Sequence, residues 1–156
     1  MNAKNLIIDS FLLVLLLIVY NQIIVYYVHE LGHYAAITIT SVLLNQKLDA
    51  KMEVHVSLLS PSGSTSSECY KLIEGKPNWI KFNSRAGFIA ECILHIGISI
   101  VSYILYTFEL FNFCNMSALQ FLILVSFVHS IYKYYGSSDN EHVKDPASFK
   151  YKPKNS

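Results

Sequence analysis

Two long segments of the chain contain no charged residue, and this feature constrains the fold most strongly. The segments Ser10–Val28 and Phe111–Tyr132 hold no Asp, Glu, Lys or Arg. At about 1.5 Å of rise per residue, a helix of ~20 apolar residues crosses the ~30 Å hydrocarbon core of a bilayer. The composition agrees, because 53% of the 156 residues are hydrophobic and only 15% are charged, against about 25% charged residues in soluble domains. The sequence therefore predicts an integral membrane protein.

Three apolar segments predict three transmembrane helices within a single domain of residues 1–156. The helices are expected at about residues 6–44, 86–110 and 116–135. The first segment is too long for one perpendicular crossing, so this helix must tilt, protrude or break. It starts like a secretory signal, but Asn21, Gln22 and a further apolar block stand where a cleavage site would need small residues. We therefore expect it to be retained as a membrane helix, and we expect a tight turn at residues 112–115.

The polar segment 47–85, between the first two helices, predicts a β-hairpin at the membrane surface. Apolar and polar residues alternate from Lys51 to Leu58, which is typical of a half-buried strand. A turn is expected at Pro61–Thr65, with Cys69–Ile73 as the returning strand. The tail, residues 136–156, is polar and is expected to have little fixed structure beyond its first residues. The predicted fold class is thus mainly α and integral to the membrane, with one membrane-associated hairpin between helices one and two.

The positive charges predict how the chain is oriented. With three spans, the loop and the tail lie on one side, and together with Lys133 at the adjoining end of the third helix they account for eleven of the twelve Lys and Arg residues. Only Lys4 lies opposite. The positive-inside rule then places the loop and the tail in the cytoplasm and the N-terminus outside, in a multi-pass protein of the cell membrane.

One short motif, His29-Glu30-Leu31-Gly32-His33, carries the chemistry. In a helix, residues four apart share a face, so His29 and His33 can offer imidazole nitrogens to one metal ion. Glu30 lies one position round the helix and reaches the water on the metal rather than the metal itself. This pattern is typical of zinc hydrolases. A carboxylate within an apolar helix costs about 2.5–3.5 kcal/mol and by itself indicates a functional site.

A hydrolytic zinc site needs a third protein ligand, which leaves the fourth position for water. The residue types that could serve are Asp139, Glu91, His95, His129, His55, His142 and Asp145. Asp139 follows the predicted cytoplasmic end of the third helix by a few residues. Glu91 and His95 are four residues apart and could instead bond each other, and His129 is typical of a core histidine bonded to a neighbouring helix.

The residues around the motif resemble a known family. The stretch Val28–Ala36 looks like the signature of the site-2 protease family of membrane-embedded zinc metalloproteases. Ala86-Gly87 resembles the family's Ala-Gly-Pro entry into its second core helix, with Phe88 in place of proline. Asp139, followed here by Asn140, resembles the aspartate of an Asp-Gly element in the third core helix.

This resemblance implies a minimal three-helix core with one Zn²⁺ per chain. It implies that His29, His33 and Asp139 hold the metal and that Glu30 is the general base. The substrates would be membrane proteins or membrane-associated peptides, cleaved at or within the lipid bilayer. Glu91 and His129 remain the next candidates for the third ligand.

Other functions remain open from the sequence. The chain could be a non-catalytic membrane relative of these proteases that acts as a binding or regulatory protein. A metal carrier or di-iron oxidase is a third class, but di-iron bundles use two Glu-x-x-His motifs, and the spacing from Glu91 to His95 does not supply a second. A net charge of +1 gives no basic field for nucleic acid. The three cysteines lack the spacing of a zinc or disulfide framework.

Overall fold

The structure, a computed structural model, describes residues 11, 14–47, 49–55, 61–108 and 116–151. This part of the chain is mainly helical, as predicted. Its helices are α1 (Val14–Leu43), α2 (Cys69–Ile73), α3 (Pro77–Thr107), α4 (Met116–Tyr135) and α5 (Ser138–Lys144). Two antiparallel strands, β1 (Lys51–His55) and β2 (Ser62–Ser66), form a hairpin between α1 and α2, and a 3₁₀ turn (Pro146–Ser148) follows α5.

Helices α1 and α3 are, among the described residues, the two that are long and apolar enough to cross a membrane. Their large apolar side chains mostly face outward: Val42 is 68% exposed and Ile93 66%. Apart from Gly87, the described residues that are buried comprise seven apolar and twelve polar or charged ones. A soluble domain has the opposite distribution. The solvent that matches this surface is lipid, so we associate the chain with a membrane.

Small residues bring α1 and α3 into close contact. A Cβ atom added at Gly32 would lie 2.5 Å from the backbone oxygen of Ala86 and 2.7 Å from the Cβ of Ala90. The absence of a side chain at Gly32 therefore lets the two backbones approach, as is common between membrane helices. This contact sets the histidines of α1 against the start of α3.

Polar side chains join the three long helices where a soluble bundle would have an apolar core. The hydroxyl of Tyr20 lies 2.8 Å from Nδ1 of His95 on α3, and Nε2 of His95 lies 3.2 Å from Oγ of Ser130 on α4. Asn21 donates to Oγ of Ser126 at 3.0 Å. Tyr20 and Asn21 belong to a π-helical turn of α1, a widened turn that often lies near functional sites.

The predicted hairpin exists, but its second strand is not where the sequence placed it. The returning strand is Ser62–Ser66, within the segment expected to turn, and Cys69–Ile73 is a helix instead. Cys69 and Ile73 are buried while Lys71 between them is exposed, which fits a helix, because a strand would place all three residues on one face. The strand Ser62–Ser66 carries no apolar alternation, so no hydrophobic pattern indicated it. Strand β1 is described as far as His55, and residues 56–60 lie outside the described part.

Two further boundaries differ from the prediction. Helix α3 begins at Pro77 rather than residue 86, because proline is well suited to the first turn and the polar residues Asn83 and Ser84 are buried against neighbours rather than solvated. The tail has fixed structure, since α5 forms there. The predicted turn at residues 112–115 and the first residues of the first predicted span lie outside the described residues.

Candidate metal centre

The two histidines of the H-E-x-x-H motif lie side by side on α1. The Nε2 atoms of His29 and His33 are 3.1 Å apart. Their rings meet edge to face, with centroids 4.8 Å apart. Helical spacing therefore does bring both imidazoles to one spot, as the sequence predicts.

Asp139 reaches the same spot from α5. Its Oδ2 atom lies 3.2 Å from Nε2 of His33 and 3.4 Å from Nε2 of His29. Helix α5 starts directly after α4, and Ser137 caps it by accepting a hydrogen bond from the backbone N–H of Asn140. This cap fixes the first turn, where Asp139 lies.

The other nitrogen of each imidazole is already hydrogen-bonded. Nδ1 of His33 lies 2.8 Å from the backbone oxygen of Asn83, and Nδ1 of His29 lies 2.6 Å from Oε1 of Glu91. A carbonyl oxygen and a carboxylate are acceptors, so each Nδ1 donates. In a neutral imidazole the lone pair is then on Nε2, which is the form that binds a metal ion.

The three inward atoms fit a tetrahedral cation. A zinc ion about 2.0–2.1 Å from each ligand would hold the ligand atoms about 3.3 Å apart. The observed separations between these atoms are 3.1, 3.2 and 3.4 Å. Three electron-pair donors at this distance repel one another unless a cation or a proton lies between them. His29, His33 and Asp139 could therefore hold a metal ion.

The carboxyl group of Asp139 is ionised at neutral pH. Burial alone would raise its pKa, but the close approach of the imidazoles of His29 and His33 outweighs burial and holds the pKa of Asp139 well below its ordinary value. An ionised carboxylate is the form that binds a metal ion.

Gly87 makes room for this cluster on the side of α3. A Cβ atom at Gly87 would lie 2.6 Å from Nε2 of His33 and 2.7 Å from Nε2 of His29. These are the two atoms that face Asp139. A side chain at Gly87 would thus occupy the position from which the imidazoles bind an ion.

Glu30 lies beside the cluster and is not part of it. Its side chain is buried, at 6% exposure, under strand β2. Thr65 of β2 places its hydroxyl 3.1 Å from Oε2 of Glu30 and 3.1 Å from the backbone oxygen of Glu30. A Cβ atom at Gly63 would lie 2.8 Å from Cγ of Glu30. The hairpin therefore packs directly on this carboxylate.

A cavity of about 980 Å³ contains the cluster and Glu30. It is bounded by the five helices α1–α5 and by both strands of the hairpin, and Tyr70 lines it from α2. Burial, aided by the negative charges of Asp139 and Glu30, raises the pKa of Tyr70. Its phenol is thus neutral and retains its proton at physiological pH.

The structure shows where the other candidates for the third ligand lie. The prediction that Glu91 and His95 bond each other is wrong, since Glu91 bonds His29 and His95 bonds Tyr20 and Ser130. The expectation of a buried histidine at position 129 is also wrong. The remaining candidates lie apart from the cluster: His129 is exposed on α4, His55 is exposed on β1, His142 bonds Ser148, and Asp145 caps the 3₁₀ turn.

The sequence-based prediction missed three contributors to the site. Thr65 belongs to a strand without hydrophobic alternation, and Asn83 contributes only its backbone oxygen. Glu91 was considered as a ligand, not as the partner of a ligand. Its burial within an apolar helix was the one signal that could have indicated this role.

Searches of family models, of curated proteins and of solved structures each returned no match for this chain.

Proposed function

We propose that the chain is an intramembrane zinc metalloprotease, similar to the site-2 protease family. The observation that carries this proposal is the triangle of His29 Nε2, His33 Nε2 and Asp139 Oδ2, with Glu30 beside it in the same cavity. The pairing of two imidazoles and one carboxylate is the ligand set of zinc peptidases that keep an open fourth position. The metal is therefore proposed to be Zn²⁺.

Within this proposal, a bound zinc ion supplies Lewis acidity, which acidifies a water molecule and polarises the scissile carbonyl group. Glu30 accepts the proton of the attacking water and returns it to the leaving amine as general acid. Its burial beneath β2 keeps the carboxylate oriented and excludes competing solvent. Glu91 and the carbonyl of Asn83 hold the two imidazoles with their Nε2 atoms turned inward.

Strand β2 supports a binding mode for the substrate. Successive residues Gly63, Ser64, Thr65 and Ser66 all line the cavity. Because successive side chains of a strand point to opposite faces, such a run means that the edge of β2, unpaired with β1, borders the cavity. An extended substrate could add to this edge and replace the backbone hydrogen bonds that its own helix gives up.

The proposed membrane arrangement has three spans, α1, α3 and α4. Helix α4 is 20 residues long, which suffices for a ~30 Å hydrocarbon core. The hairpin, α5 and the tail then lie on the side that holds most of the lysines. By the positive-inside rule this side is the cytoplasm. The metal cluster lies near the middle of α1 and opens into the cavity lined by the hairpin and α5, so water would enter from that, the proposed cytoplasmic, side.

Zinc content tests the metal part of this proposal. Protein purified in detergent is expected to contain one zinc per chain. Asp139→Asn and His33→Ala should lose zinc, whereas Glu30→Gln should retain it because Glu30 is not a ligand. Elemental analysis measures the outcome. A wild-type protein that takes up no zinc, even after reconstitution, contradicts the proposal.

Peptide cleavage tests the catalytic part. We expect the zinc-loaded wild type to cleave members of a proteome-derived peptide library, read out by mass spectrometry. Glu30→Gln is the matched control, since it keeps the zinc and loses the base. Zinc binding without cleavage would favour the alternative of a non-catalytic membrane relative that binds partners.

A further inference from the structure

The hydroxyl of Thr65 is the only described side-chain group that hydrogen-bonds the carboxylate of Glu30. Its Oγ1 atom lies 3.1 Å from Oε2 and, at the same time, 3.1 Å from the backbone oxygen of the same residue. Both are acceptors, so the hydroxyl hydrogen is shared between them. One hydroxyl thus links the side chain of Glu30 to the backbone of its own helix turn.

The local packing leaves this hydroxyl little freedom. Gly63, two residues before Thr65 on the same face of β2, lets the strand descend onto Glu30 and Tyr26. Thr65 is β-branched, which restricts its first side-chain torsion. Met52 pairs with Thr65 across the hairpin and holds the register of the two strands. The hydroxyl is therefore held over the carboxylate by the fold of the hairpin.

We propose that Thr65 is a positioning residue that aligns Glu30 for proton transfer. This inference rests on the proposed function, because it assigns a role within that reaction. A general base must lie within hydrogen-bond reach of the proton that it takes. Without the Thr65 hydroxyl, the Glu30 carboxylate loses the hydrogen bond that selects its orientation within the packed site, while the metal ligands remain in place. Strand β2, which borders the proposed substrate cleft, thus also orients Glu30, the proposed general base.

The test is Thr65→Val, which keeps the branched shape and removes the hydroxyl. With a peptide identified from the library, kcat is expected to fall about 10- to 100-fold, the cost typical of a misplaced catalytic group. KM should stay within about two-fold, and zinc content should remain one per chain. Thr65→Ser restores the hydroxyl and should restore kcat. Thr38→Val is the matched control, because Thr38 donates to Tyr34 within α1 and is not part of the site.

A second measurement does not depend on catalysis. The protein is labelled with ¹³C at the glutamate carboxylates and its infrared spectrum is recorded. The band of Glu30 is assigned as the carboxylate band that is absent from the spectrum of Glu30→Gln. This band should shift in Thr65→Val and return in Thr65→Ser.

The outcomes separate the two proposals. An unshifted Glu30 band, an unchanged kcat or loss of zinc in Thr65→Val would each overturn the role of Thr65. Absence of cleavage by the wild type, with the band shift intact, would instead overturn the proposed function and leave the contact established.

Discussion

At the scale of single residues, the carboxylate of Glu91 has the clearest structural role outside the cluster. It is only 2% exposed and hydrogen-bonds His29 at 2.6 Å, across 62 residues of sequence. The sequence favoured the partner four residues away, His95, because spacing along a helix is visible and contacts between helices are not. That His29 and His33 meet on one face of α1 could be predicted from their spacing alone. The groups that orient them could not.

We expect Glu91→Gln to weaken zinc binding about 10- to 100-fold, the usual cost of removing the partner of a histidine ligand. The amide keeps the size of the side chain and loses the negative charge opposite His29 Nδ1. Competition with a chelator measures the affinity. Glu141→Gln, at an exposed position of α5, is the control, and equal affinities in the two variants would contradict the assignment.

Gly87 gives a sharper test, because the change is one methyl group. Gly87→Ala is expected to abolish stoichiometric zinc binding, since the added carbon would lie 2.6 Å from the Nε2 atom of His33. Gly97→Ala lies on the same helix, has open space at the added carbon, and should bind zinc like the wild type. Elemental analysis of both variants decides. Full zinc content in Gly87→Ala would show that the imidazoles do not bind an ion at this spot.

At the scale of elements, apolar periodicity predicted the long helices but did not predict two polar elements, strand β2 and helix α5. Strand β2 consists of Ser, Gly and Thr, and at Gly63 it lies so close to Glu30 that a side chain would not fit. Helix α5 is polar and seven residues long, and its cap and its contacts with α3 and α4 stabilise it rather than an apolar face. Such elements depend on their neighbours and cannot be derived from a local pattern.

The cap of α5 should therefore influence the metal site. Ser137→Ala removes a capping interaction worth about 1 kcal/mol, and Asp139 lies in the turn that this cap fixes. We expect the zinc dissociation constant to rise roughly five-fold, since 1.4 kcal/mol corresponds to about ten-fold. Ser138→Ala, exposed and outside the cap, should change it little. A larger loss in Ser138→Ala than in Ser137→Ala would contradict this account.

At the scale of the whole molecule, polarity is arranged inside out. Polar groups meet between the helices, as between Tyr20 and His95, while apolar side chains cover the outside. Composition predicted this membrane character, because lipid is the solvent expected around two charge-free segments of this length. The orientation of the spans rests on charge counts alone.

Epitope tags test this orientation. A tag placed before residue 1 is expected to be accessible to antibody on intact cells, because Lys4 is the only basic residue predicted outside. A tag placed after Tyr151 should be accessible only after the membrane is permeabilised, since Lys133 and the four lysines of the tail would retain this segment in the cytoplasm. Detection of the second tag on intact cells would reverse the proposed orientation.

The ligands of the cluster are far apart along the chain: Asp139 follows His33 by 106 residues. A nascent chain that contains only α1 and α3 already holds both histidines, yet it lacks the carboxylate until α4 and α5 have been synthesised. Within the proposed function, the polypeptide would therefore gain the ability to cut only late in its synthesis. Because α5 is translated last of these helices, an incompletely synthesised chain would not cleave neighbouring proteins at the site of insertion.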